Sequence, residues 1–492
     1  MSPIERRERN DKLVTARGNA QRPPRRRRRL RHLRWLLPIA VYAGLAAYYR
    51  YRPHPRGLEP PPRSYRLPAQ NLRFVYNMVW YENGERRAVR QVVDTMCELI
   101  RRARRWVVLD VFLFNQLHVE HGQFVPVTRQ VADAFRGKRH PSYFITDPFN
   151  VFYGTMPCRP LDWLREAGVR VGVVDARRIR DNNLVYSPLW RALLQWFGNG
   201  RPRWLPNPVD RRYRTTLRAI LEALNFKGNH RKVLIADDGN GSYVSFITSG
   251  NLEDSGSYYA ETGLVIHSRE VARHFLASEK AVAHLADMVI PCEVEPGPEP
   301  EGEAWLTPLM GTCIKRAVLS DLRAAEAGDE LFLFMLFLAD RDVLRELKEA
   351  ALRGVRVSLL LDQSRRSFGS EKRGFPNHFA AAELAPYPNV RIRWGNTRLE
   401  EFHTKLCVLA KPDRCIVHLG SANFTRRGLS GTVLEANVRL EAPLTAPVCQ
   451  DILRYAHWAF SDPRSLERID LDRSRLKQAW YRLQEITGLA TF

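Results

Sequence analysis

Short apolar runs alternate with segments of helical periodicity from about residue 64 onward, and this alternation predicts an α/β fold with buried strands. In the first part of the chain the pattern predicts helices at residues 91–105, 161–167 and 215–224, and strands at residues 106–114, 142–146 and 169–174. Gly168 follows the second of these helices, as is typical of a helix C-terminus. The last helix leads directly into a polar segment that begins at Asn225.

The same order of elements occurs a second time further along the chain. Helices are predicted at residues 314–325 and 342–352, and strands at residues 330–338 and 355–361, again followed by a polar segment. The passages LREAGVRVGVVD and LKEAALRGVRVSLLLD, which begin at Leu164 and Leu347, correspond as well. We therefore predict two duplicated halves, residues 64–290 and 304–463, joined by a linker at residues 291–303 that is rich in proline, glycine and glutamate.

The two ends of the chain differ in pattern from the halves. Residues 1–32 are polar and arginine-rich and are predicted to be a disordered basic tail. Residues 33–51 contain an uncharged stretch flanked by arginines and are predicted to be one transmembrane helix, with Trp and Tyr in the two interfaces. The proline-rich residues 52–63 are predicted to be a semi-rigid spacer that lifts the globular part off the bilayer. Residues 464–492 are predicted to be a C-terminal helix on the outside of the second half.

Two other interpretations of residues 33–51 remain open. A cleaved signal peptide would have Gly44 and Ala46 as the small residues before the cut, although the long basic segment that precedes it is unusual for one. A buried apolar helix is the third interpretation. With an anchor, the arginine excess before it places the N-terminus in the cytoplasm and the rest of the chain on the periplasmic side of the inner membrane.

Composition narrows the function without deciding it. The chain of 492 residues has a net charge of +24, which suits an anionic substrate or surface, whether phospholipid or nucleic acid. Its seven cysteines form no CxxC pair and indicate neither a zinc site nor a disulfide framework. Small buried apolar positions are the expected place for them, although an oxidising compartment could pair some.

The two polar segments carry the candidate chemistry. The first contains His230, Lys232, Asp237, Ser249, Asn251 and Glu261, and the second contains His403, Lys405, Ser421, Asn423 and Glu435. From each histidine the serine follows at 19 and 18 positions, the asparagine at 21 and 20, and the glutamate at 31 and 32. One H-x-K match arises easily by chance, but two with matched companions indicate a duplicated site.

The spacing within each segment predicts how the side chains meet. Histidine and lysine are two positions apart at the start of an apolar run, so on a strand both point to the same face. Each Ser-x-Asn pair follows another strand and presents its two polar groups together. Lysine charge and asparagine amides suit the non-bridging oxygens of a phosphate. The sequence therefore predicts a phosphodiester-binding cluster to which both segments contribute.

These motifs resemble the phospholipase D superfamily, whose signature is H-x-K-x4-D followed by G-S-x-N, present twice. NHRKVLIADDG, which begins at Asn229, resembles the bacterial cardiolipin synthase branch in particular. The resemblance covers residues 65–464. It implies two α/β halves, each a mixed sheet flanked by helices, which meet face to face with one active site at their interface. It implies neither a metal nor a cofactor.

The resemblance also implies a role for each matching residue. One histidine attacks phosphorus to form a phosphohistidine, and the other protonates the leaving alcohol and then activates the acceptor. By family analogy His230 is the expected nucleophile and His403 the acid and base, a choice that the sequence itself does not settle. The remaining implied roles are catalytic for Lys232, Asp237 and Lys405, phosphate-binding for Ser249, Asn251, Ser421 and Asn423, and histidine-orienting for Glu261 and Glu435.

Two positions depart from the signature. Thr248 stands where glycine usually precedes Ser249, a mild change if the backbone there is an ordinary strand. Ala410 stands where the second motif aspartate is expected, and Asp413 comes three positions late. Because that aspartate supports the chemistry in the family and is not the nucleophile, we expect activity to survive, with unequal roles for the two halves.

Together these features predict a membrane-anchored phosphatidyltransferase or phosphodiesterase that acts on phospholipid head groups and needs no obligate protein partner. Transfer to another lipid's glycerol would make cardiolipin, and transfer to water would make phosphatidate; the motifs do not distinguish the two. Two alternatives remain. A nuclease acting on DNA is favoured by the charge and disfavoured by the anchor. A non-catalytic relic that binds anionic lipid is favoured by Ala410.

Overall fold

The computed structural model describes most of the chain. The described residues are 25–117, 124–198, 203–363, 366–367, 370–371, 374–398, 400–462, 466–467 and 474–487. Most of the predicted basic tail, residues 1–24, therefore lies outside the described residues, as does the end of the predicted C-terminal helix.

The helices and strands are numbered here in chain order. The first part contains α1 (Arg25–Tyr51), β1 (Tyr65–Leu67), β2 (Leu72–Glu82), β3 (Glu85–Arg90), α2 (Val92–Arg102), β4 (Val107–Val111), α3 (Val127–Phe135), β5 (Ser142–Thr146), α4 (Arg159–Glu166), β6 (Arg170–Val173), α5 (Tyr186–Ala192), β7 (Leu205–Pro206), β8 (Arg214–Thr215), α6 (Leu217–Ala223), β9 (Lys232–Asp237), β10 (Tyr243–Thr248), β11 (Glu261–His267) and α7 (Arg269–Leu285). The second part contains β12 (Ala304–Met310), α8 (Thr312–Arg323), β13 (Glu330–Met335), α9 (Arg341–Leu352), β14 (Arg356–Leu361), β15 (Arg366–Ser367), β16 (Ser370–Glu371), α10 (Asn377–Leu384), β17 (Val390–Gly395), β18 (Lys405–Ala410), β19 (Arg414–Gly420), α11 (Arg426–Leu429), β20 (Ala436–Pro443), α12 (Pro447–Ser461), β21 (Leu466–Glu467) and α13 (Arg475–Thr487).

Two large mixed sheets have the same internal order. The first runs β3-β2-β11-β10-β9-β4-β5-β6, and the second runs β1-β12-β20-β19-β18-β13-β14-β17-β21. Seven strands correspond one to one, and in both sheets the three at one side, β4-β5-β6 and β13-β14-β17, are parallel. The predicted duplication of two α/β halves is therefore confirmed.

The two halves share one apolar core. Along β9, Val233 and Ile235 face a cluster that also contains Phe334 and Leu406 of the second half. The alternate residue Leu234 faces a separate cluster under α2, α3 and α4. This period of two places apolar residues on both faces of the strand, as expected of a central strand covered on both sides. A shared core fixes the position of one motif relative to the other.

The predicted strands and helices agree with the structure except at their ends. The strand predicted at residues 142–146 has those bounds in the structure, and the predicted helices end within three residues of the observed ones. The strands predicted at residues 106–114 and 330–338 stop early, at Val111 and Met335. Their apolar runs continue because the following residues, such as Phe112 and Leu336, line a cleft and are buried without being in a strand.

The N-terminal helix α1 begins at Arg25, so the predicted boundary between residues 32 and 33 lies within it. Arginine is a good helix former, and no glycine or proline interrupts the arginine-rich segment that begins the helix. The helix packs along α5, where the Tyr42 hydroxyl donates to the carbonyl of Val185 (2.6 Å). Nearby, the amide of Asp181 donates to the carbonyl of Tyr49 (3.0 Å). Among the residues that the structure describes, no helix is long and apolar enough to cross a membrane.

The predicted spacer, residues 52–63, packs on the first half and does not stand away from it. Leu58 is fully buried. Its carbonyl accepts hydrogen bonds from Arg231 Nη2 (2.7 Å) and from the Ser278 hydroxyl (2.9 Å). A buried guanidinium needs acceptors on several sides, and this segment supplies one of them.

Strand β1 crosses from the predicted first half into the second sheet. Leu67 is paired with Ala304 in an antiparallel ladder with β12, so residue 64 is not the boundary between the sheets. The predicted linker, residues 291–303, is also held in place, because the Glu299 carboxylate accepts from the Ser268 hydroxyl at the start of α7 (3.0 Å). Helix periodicity and proline content could not reveal either pairing, since both join residues far apart in sequence.

The C-terminal segment is only partly helical. Within the predicted helix at residues 464–492, residues 466–467 form strand β21 against β17, and the helix α13 begins at Arg475. The Tyr481 hydroxyl donates to the carbonyl of Ala339 (3.2 Å), which places the helix on the outside of the second half, as predicted. The start was wrong because apolar residues at helical spacing also fit a short edge strand.

Candidate active site

Backbone hydrogen bonds between the halves bring the two motifs together. The amide of His230 donates to the carbonyl of Leu434 (2.9 Å), and the amide of Leu434 donates to Gly228 (3.1 Å). At the corresponding place, the amide of Ala260 donates to the carbonyl of Glu401 (3.1 Å). Leu434 directly precedes Glu435, and Ala260 directly precedes Glu261. These bonds therefore hold each glutamate next to the motif histidine of the other half.

The histidines and glutamates consequently pair across the interface. His230 Nδ1 lies 3.0 Å from the carboxylate of Glu435, and His403 Nδ1 lies 3.7 Å from that of Glu261. The first distance is a hydrogen bond and the second is slightly too long for one. A carboxylate at Nδ1 fixes the imidazole so that Nε2 is available to a substrate. The family resemblance implied a histidine-orienting role for both glutamates, but the sequence did not show that each comes from the opposite half.

The two motif lysines lie behind the histidines and are buried. Lys232 Nζ donates to the carbonyl of His230 (2.7 Å), and Lys405 Nζ donates to that of His403 (2.8 Å). The Phe112 ring contacts both the His230 ring, at 4.8 Å between centroids, and Lys232 Nζ, at 5.2 Å. This shared contact agrees with the prediction that histidine and lysine point to the same face.

The surroundings of both histidines favour the neutral imidazole. Burial lowers the pKa of His230 well below its ordinary value, and the positive charges of Lys232 and Lys405 lower it further. Burial and the same two lysines likewise lower the pKa of His403. A neutral imidazole has a free lone pair on Nε2, which a nucleophile or a general base requires.

The lysines and glutamates are also shifted toward neutrality. Burial lowers the pKa of Lys232 to about 8, and burial together with the charge of Lys232 lowers the pKa of Lys405. Burial raises the pKa of Glu435 to about 7 and that of Glu261 to about 8. An anion placed among these groups would restore the charge of both lysines. The cluster is therefore suited to a phosphate.

A cleft between the halves opens onto both histidines. Its volume is about 880 Å³, part of it open to solvent. The side chains that line it are Phe112, Leu113, Leu117, Phe149, His230, Asn251, Glu253, Ser255 and Tyr259 from the first half and Leu336, Phe337, Glu401, His403, Asn423, Thr425, Arg427, Gly428, Val433 and Glu435 from the second. The cleft thus combines apolar walls with a polar floor that contains both motifs.

Arg427 was not predicted to belong to the site. It lines the cleft and is the second residue of the short helix α11, which Thr425 caps by accepting from the amide of Gly428 (3.2 Å). Four positions after Asn423, it stands where the first half has Ser255. Because the residue type differs, a comparison of matching positions in the two copies does not identify Arg427. Its guanidinium adds a third cation to the cluster.

The two predicted phosphate-binding asparagines line the cleft, whereas the serines do not. The side-chain oxygens of Asn251 and Asn423 are buried and have no hydrogen-bond partner among the described residues. Ser249 Oγ instead accepts from the amide of Thr262 (3.0 Å), and Ser421 Oγ donates to the Glu435 carboxylate. The serines therefore hold the glutamate-bearing strands, whereas the asparagines line the cleft, where Asn251 Nδ2 donates to the Glu253 carboxylate (3.4 Å).

Thr248 fits the strand end without disturbing it. Its hydroxyl donates to the carbonyl of Thr262 (2.8 Å) and accepts from the amide of Gly250 (3.0 Å). At the corresponding place in the second half, a side chain on Gly420 would come within 2.4 Å of the Ala436 carbonyl oxygen. The threonine is tolerated in one copy because the two strand ends differ there.

Asp237 lies at the far end of β9 from the histidine and outside the cluster. Its carboxylate accepts from the backbone amides of Arg104 (3.0 Å), Arg105 (2.8 Å) and Trp106 (3.3 Å). These bonds fasten β9 to the loop that leads into β4. The structure thus gives Asp237 a role in holding the strand, although the motif pattern had grouped it with the catalytic residues.

The missing aspartate at Ala410 is compensated from the neighbouring strand. Ala410 pairs with Glu330 in the sheet, and Asp329 precedes that residue. The Asp329 carboxylate accepts from the amide of Glu326 (2.9 Å) and from Lys411 Nζ (2.8 Å). Asp329 thus joins the loop before β13 to Lys411, which follows β18, just as Asp237 joins β9 to the loop before β4 in the first half. The substitution therefore leaves the cluster around His403 intact.

Comparisons with known proteins agree with this architecture. Residues 319–458 match the family model described as the cardiolipin synthase, PLD-like domain. No curated protein sequence matches the chain. Among solved structures, phosphatidylserine synthase of Haemophilus influenzae Rd KW20 is similar with a TM-score of 0.54 and 10% identity over 87% of this chain and 95% of that one.

Two further solved structures are similar at lower scores. Polyphosphate kinase from Porphyromonas gingivalis has a TM-score of 0.44 and 13% identity over 85% of this chain and 53% of that one, so the chain spans about half of that protein's length. NucT from Helicobacter pylori has a TM-score of 0.26 and 16% identity over 33% of this chain and 99% of that one. Within the described residues, no group of three or more His, Cys, Asp and Glu side chains is placed to hold a metal.

Proposed function

Since the chain is phospholipase D-like in the sequence of its second half and in its fold, we propose that it cleaves and transfers phosphodiesters of phospholipid head groups through a phosphohistidine. The observation that carries this proposal is the crossed arrangement of two neutral histidines, each beside a glutamate of the other half, above two buried lysines. Neither half contains a complete site, so both are needed for the reaction.

The proposed reaction has two steps that use the same groups. In the first, His230 Nε2 attacks phosphorus, the bond from phosphorus to the leaving alcohol oxygen breaks, and His403 supplies that oxygen with a proton. In the second, His403 takes a proton from the acceptor hydroxyl, whose oxygen attacks phosphorus and displaces His230. A bound phosphodiester supplies the negative charge that lets His403 carry its proton, since burial and the lysines otherwise lower its pKa.

The lysines, the asparagines and Arg427 would hold the phosphoryl oxygens as charge develops during these steps. Lys232 and Lys405 are fixed by their bonds to the histidine carbonyls, so no reorganisation is needed to present them. The amide side chains of Asn251 and Asn423 reach the same cleft. Preorganised donors of this kind stabilise a transition state more than donors that must first be ordered.

Phospholipid is favoured as the substrate by the apolar part of the cleft. Phe112, Leu117 and Phe149 on one side face Leu336 and Phe337 on the other, a lining that suits the glycerol and acyl end of a lipid. The family model that matches the second half is a cardiolipin synthase domain, which supports a lipid alcohol as acceptor. The location on the periplasmic side of the inner membrane, with residues 33–51 as the anchor, is part of the same proposal.

Radiolabelled phosphatidylglycerol tests this function. The detergent-purified protein is incubated with it, alone and with phosphatidylethanolamine, and the products are separated by chromatography. We expect label in cardiolipin for a transferase or in phosphatidate for a hydrolase. His230→Ala and His403→Ala should each abolish the product, and Asp413→Asn, at an exposed position, should not. Absence of product with the unchanged protein, together with cleavage of single-stranded DNA, would instead establish a nuclease.

A further inference from the structure

Exposed apolar side chains are concentrated on three segments of the chain. Of the 22 large hydrophobic side chains that are exposed in the described part of the protein, six lie on α1, nine between residues 185 and 224, and four on α13. Trp196 and Trp204 are among them, 73% and 62% exposed. Soluble proteins normally scatter such residues singly over their surface, so this concentration indicates an interaction surface.

The three segments are neighbours in the fold. Helix α1 packs along α5 through the bond from Tyr42 to the carbonyl of Val185. The end of α13 meets the same region, because the amide of Leu184 donates to the carbonyl of Thr487 (3.0 Å). The Tyr186 hydroxyl donates to the carbonyl of Leu221 (2.7 Å), which joins α5 to α6. We call the surface formed by α1, residues 185–198 and 203–224, and α13 the apolar face.

The apolar face adjoins the cleft. On the inner side of α6, Ala219 and Ile220 pack in one cluster with Leu117 and Phe149, which line the cleft. On the outer side, Leu217 at the start of the same helix and Leu224 just after its end are exposed, 39% and 41%. One short helix therefore separates the cleft wall from the apolar face.

Basic residues are interleaved with the apolar ones. Arg203, Arg211, Arg214 and Arg218 are all exposed within the same segment as Trp204 and Tyr213. Aromatic residues with arginines among them are typical of surfaces at the boundary between hydrocarbon and anionic head groups. The same arginines would oppose one another across a two-fold interface with a second copy of this chain, which favours a bilayer as the partner.

We propose that the apolar face lies against the surface of an anionic phospholipid bilayer, so that a lipid substrate enters the cleft without leaving the membrane. The proposal rests on the proposed function for its choice of lipid. Helix α1 forms part of the apolar face, so a bilayer that meets the face also meets α1.

A reporter fluorophore on the full-length protein tests the contact without turnover. It is attached to a cysteine introduced at Trp196→Cys or, as a control, at Leu352→Cys on α9, where the side chain is 68% exposed outside the apolar face. The background carries His230→Ala to prevent turnover and Cys313→Ser, because the other six natural cysteines are buried. Vesicles contain phosphatidylcholine with or without phosphatidylglycerol, and some lipids carry a spin label in the acyl chain.

We expect the reporter at position 196 to shift to the blue and to be quenched by the spin label, more strongly with phosphatidylglycerol, and the reporter at position 352 to remain unchanged. Equal behaviour at the two positions would overturn the proposal. A dimer of the protein without vesicles, with the reporter at position 196 already shielded from solvent, would also overturn the proposal. That result would identify a second copy of the chain as the partner.

Turnover then separates this proposal from the proposed function. Trp196→Ser with Phe197→Ser should lower turnover of phosphatidylglycerol in vesicles about tenfold or more and leave turnover of a soluble short-chain phosphatidylglycerol unchanged, whereas Leu352→Ser should alter neither. An equal loss on both substrates would contradict the membrane contact. If the unchanged protein turns over neither substrate, the proposed function fails, while the reporter result still decides the contact.

Discussion

Glu435→Gln is expected to slow formation of the phosphohistidine while leaving the fold intact. The Glu435 carboxylate lies 3.0 Å from His230 Nδ1, and only 3% of its side chain is exposed. Glutamine has nearly the same shape and keeps an acceptor oxygen, but it lacks the negative charge that Glu435 carries above its pKa of about 7, which burial raises, and that stabilises the imidazole as it becomes positive. A hydrogen bond to a charged group is worth about 1.5–3 kcal/mol and one to a neutral group about 0.5–1.5 kcal/mol, so the charge accounts for about 1–1.5 kcal/mol. At about 1.4 kcal/mol per factor of ten, the rate should fall about 5- to 12-fold.

Glu261→Gln is the matched variant on the other side of the interface. Its carboxylate lies 3.7 Å from His403 Nδ1, too far for a hydrogen bond, so the same substitution should cost less in the first chemical step. Single-turnover kinetics with a soluble short-chain phosphatidylglycerol measure both variants, with circular dichroism as the control for folding. A Glu435→Gln rate within about threefold of the unchanged protein, or an effect smaller than that of Glu261→Gln, would refute the role assigned to the crossed pair.

Two further predictions follow from the site. Because burial lowers the pKa of Lys232 from 10.5 to about 8, the lysine loses its proton on the alkaline side of that value, and kcat/KM for a soluble substrate should decline above about pH 8. A profile that stays level to about pH 10 would contradict this assignment. Asp237→Asn should lower the free energy of unfolding by about 1–3 kcal/mol, since its carboxylate accepts hydrogen bonds from four backbone amides at the end of β9, yet leave kcat per folded molecule within about twofold. A large loss of kcat without loss of stability would show instead that Asp237 has a catalytic role. Asp413→Asn, at an exposed position, is the control.

The sequence allowed prediction of what repeats along the chain. Both H-x-K pairs, the alternation of helices and strands, and the duplication follow from periodicity and spacing, which are local properties. The crossed pairing of His230 with Glu435 joins residues 205 positions apart and could not be seen in either copy alone. The same holds for β1, which pairs in the second sheet.

Residues that differ between the copies were the hardest to assign. Arg427 was missed because its counterpart is Ser255, and Asp237 was grouped with the site because the motif pattern includes it. Ala410 suggested a degenerate half, yet Asp329 secures the same loop from the next strand. In each case the role of the side chain depends on the loop or strand that it contacts. Those contacts result from the packing of the two sheets, which the sequence alone does not show.

The most direct test of the account is to trap the covalent intermediate. Full-length protein is mixed with phosphatidylglycerol, quenched in denaturant at a mildly alkaline pH, at which both the phosphorus–nitrogen bond and the acyl esters survive, and digested for peptide mass spectrometry. The account predicts a phosphatidyl adduct on His230 in the unchanged protein, slower formation of that adduct in His403→Ala, which lacks the acid of the first step, and no adduct in His230→Ala. An adduct on His403 alone would reverse the roles of the two histidines. Product formed by the unchanged protein without an adduct on either histidine would contradict the two-step mechanism.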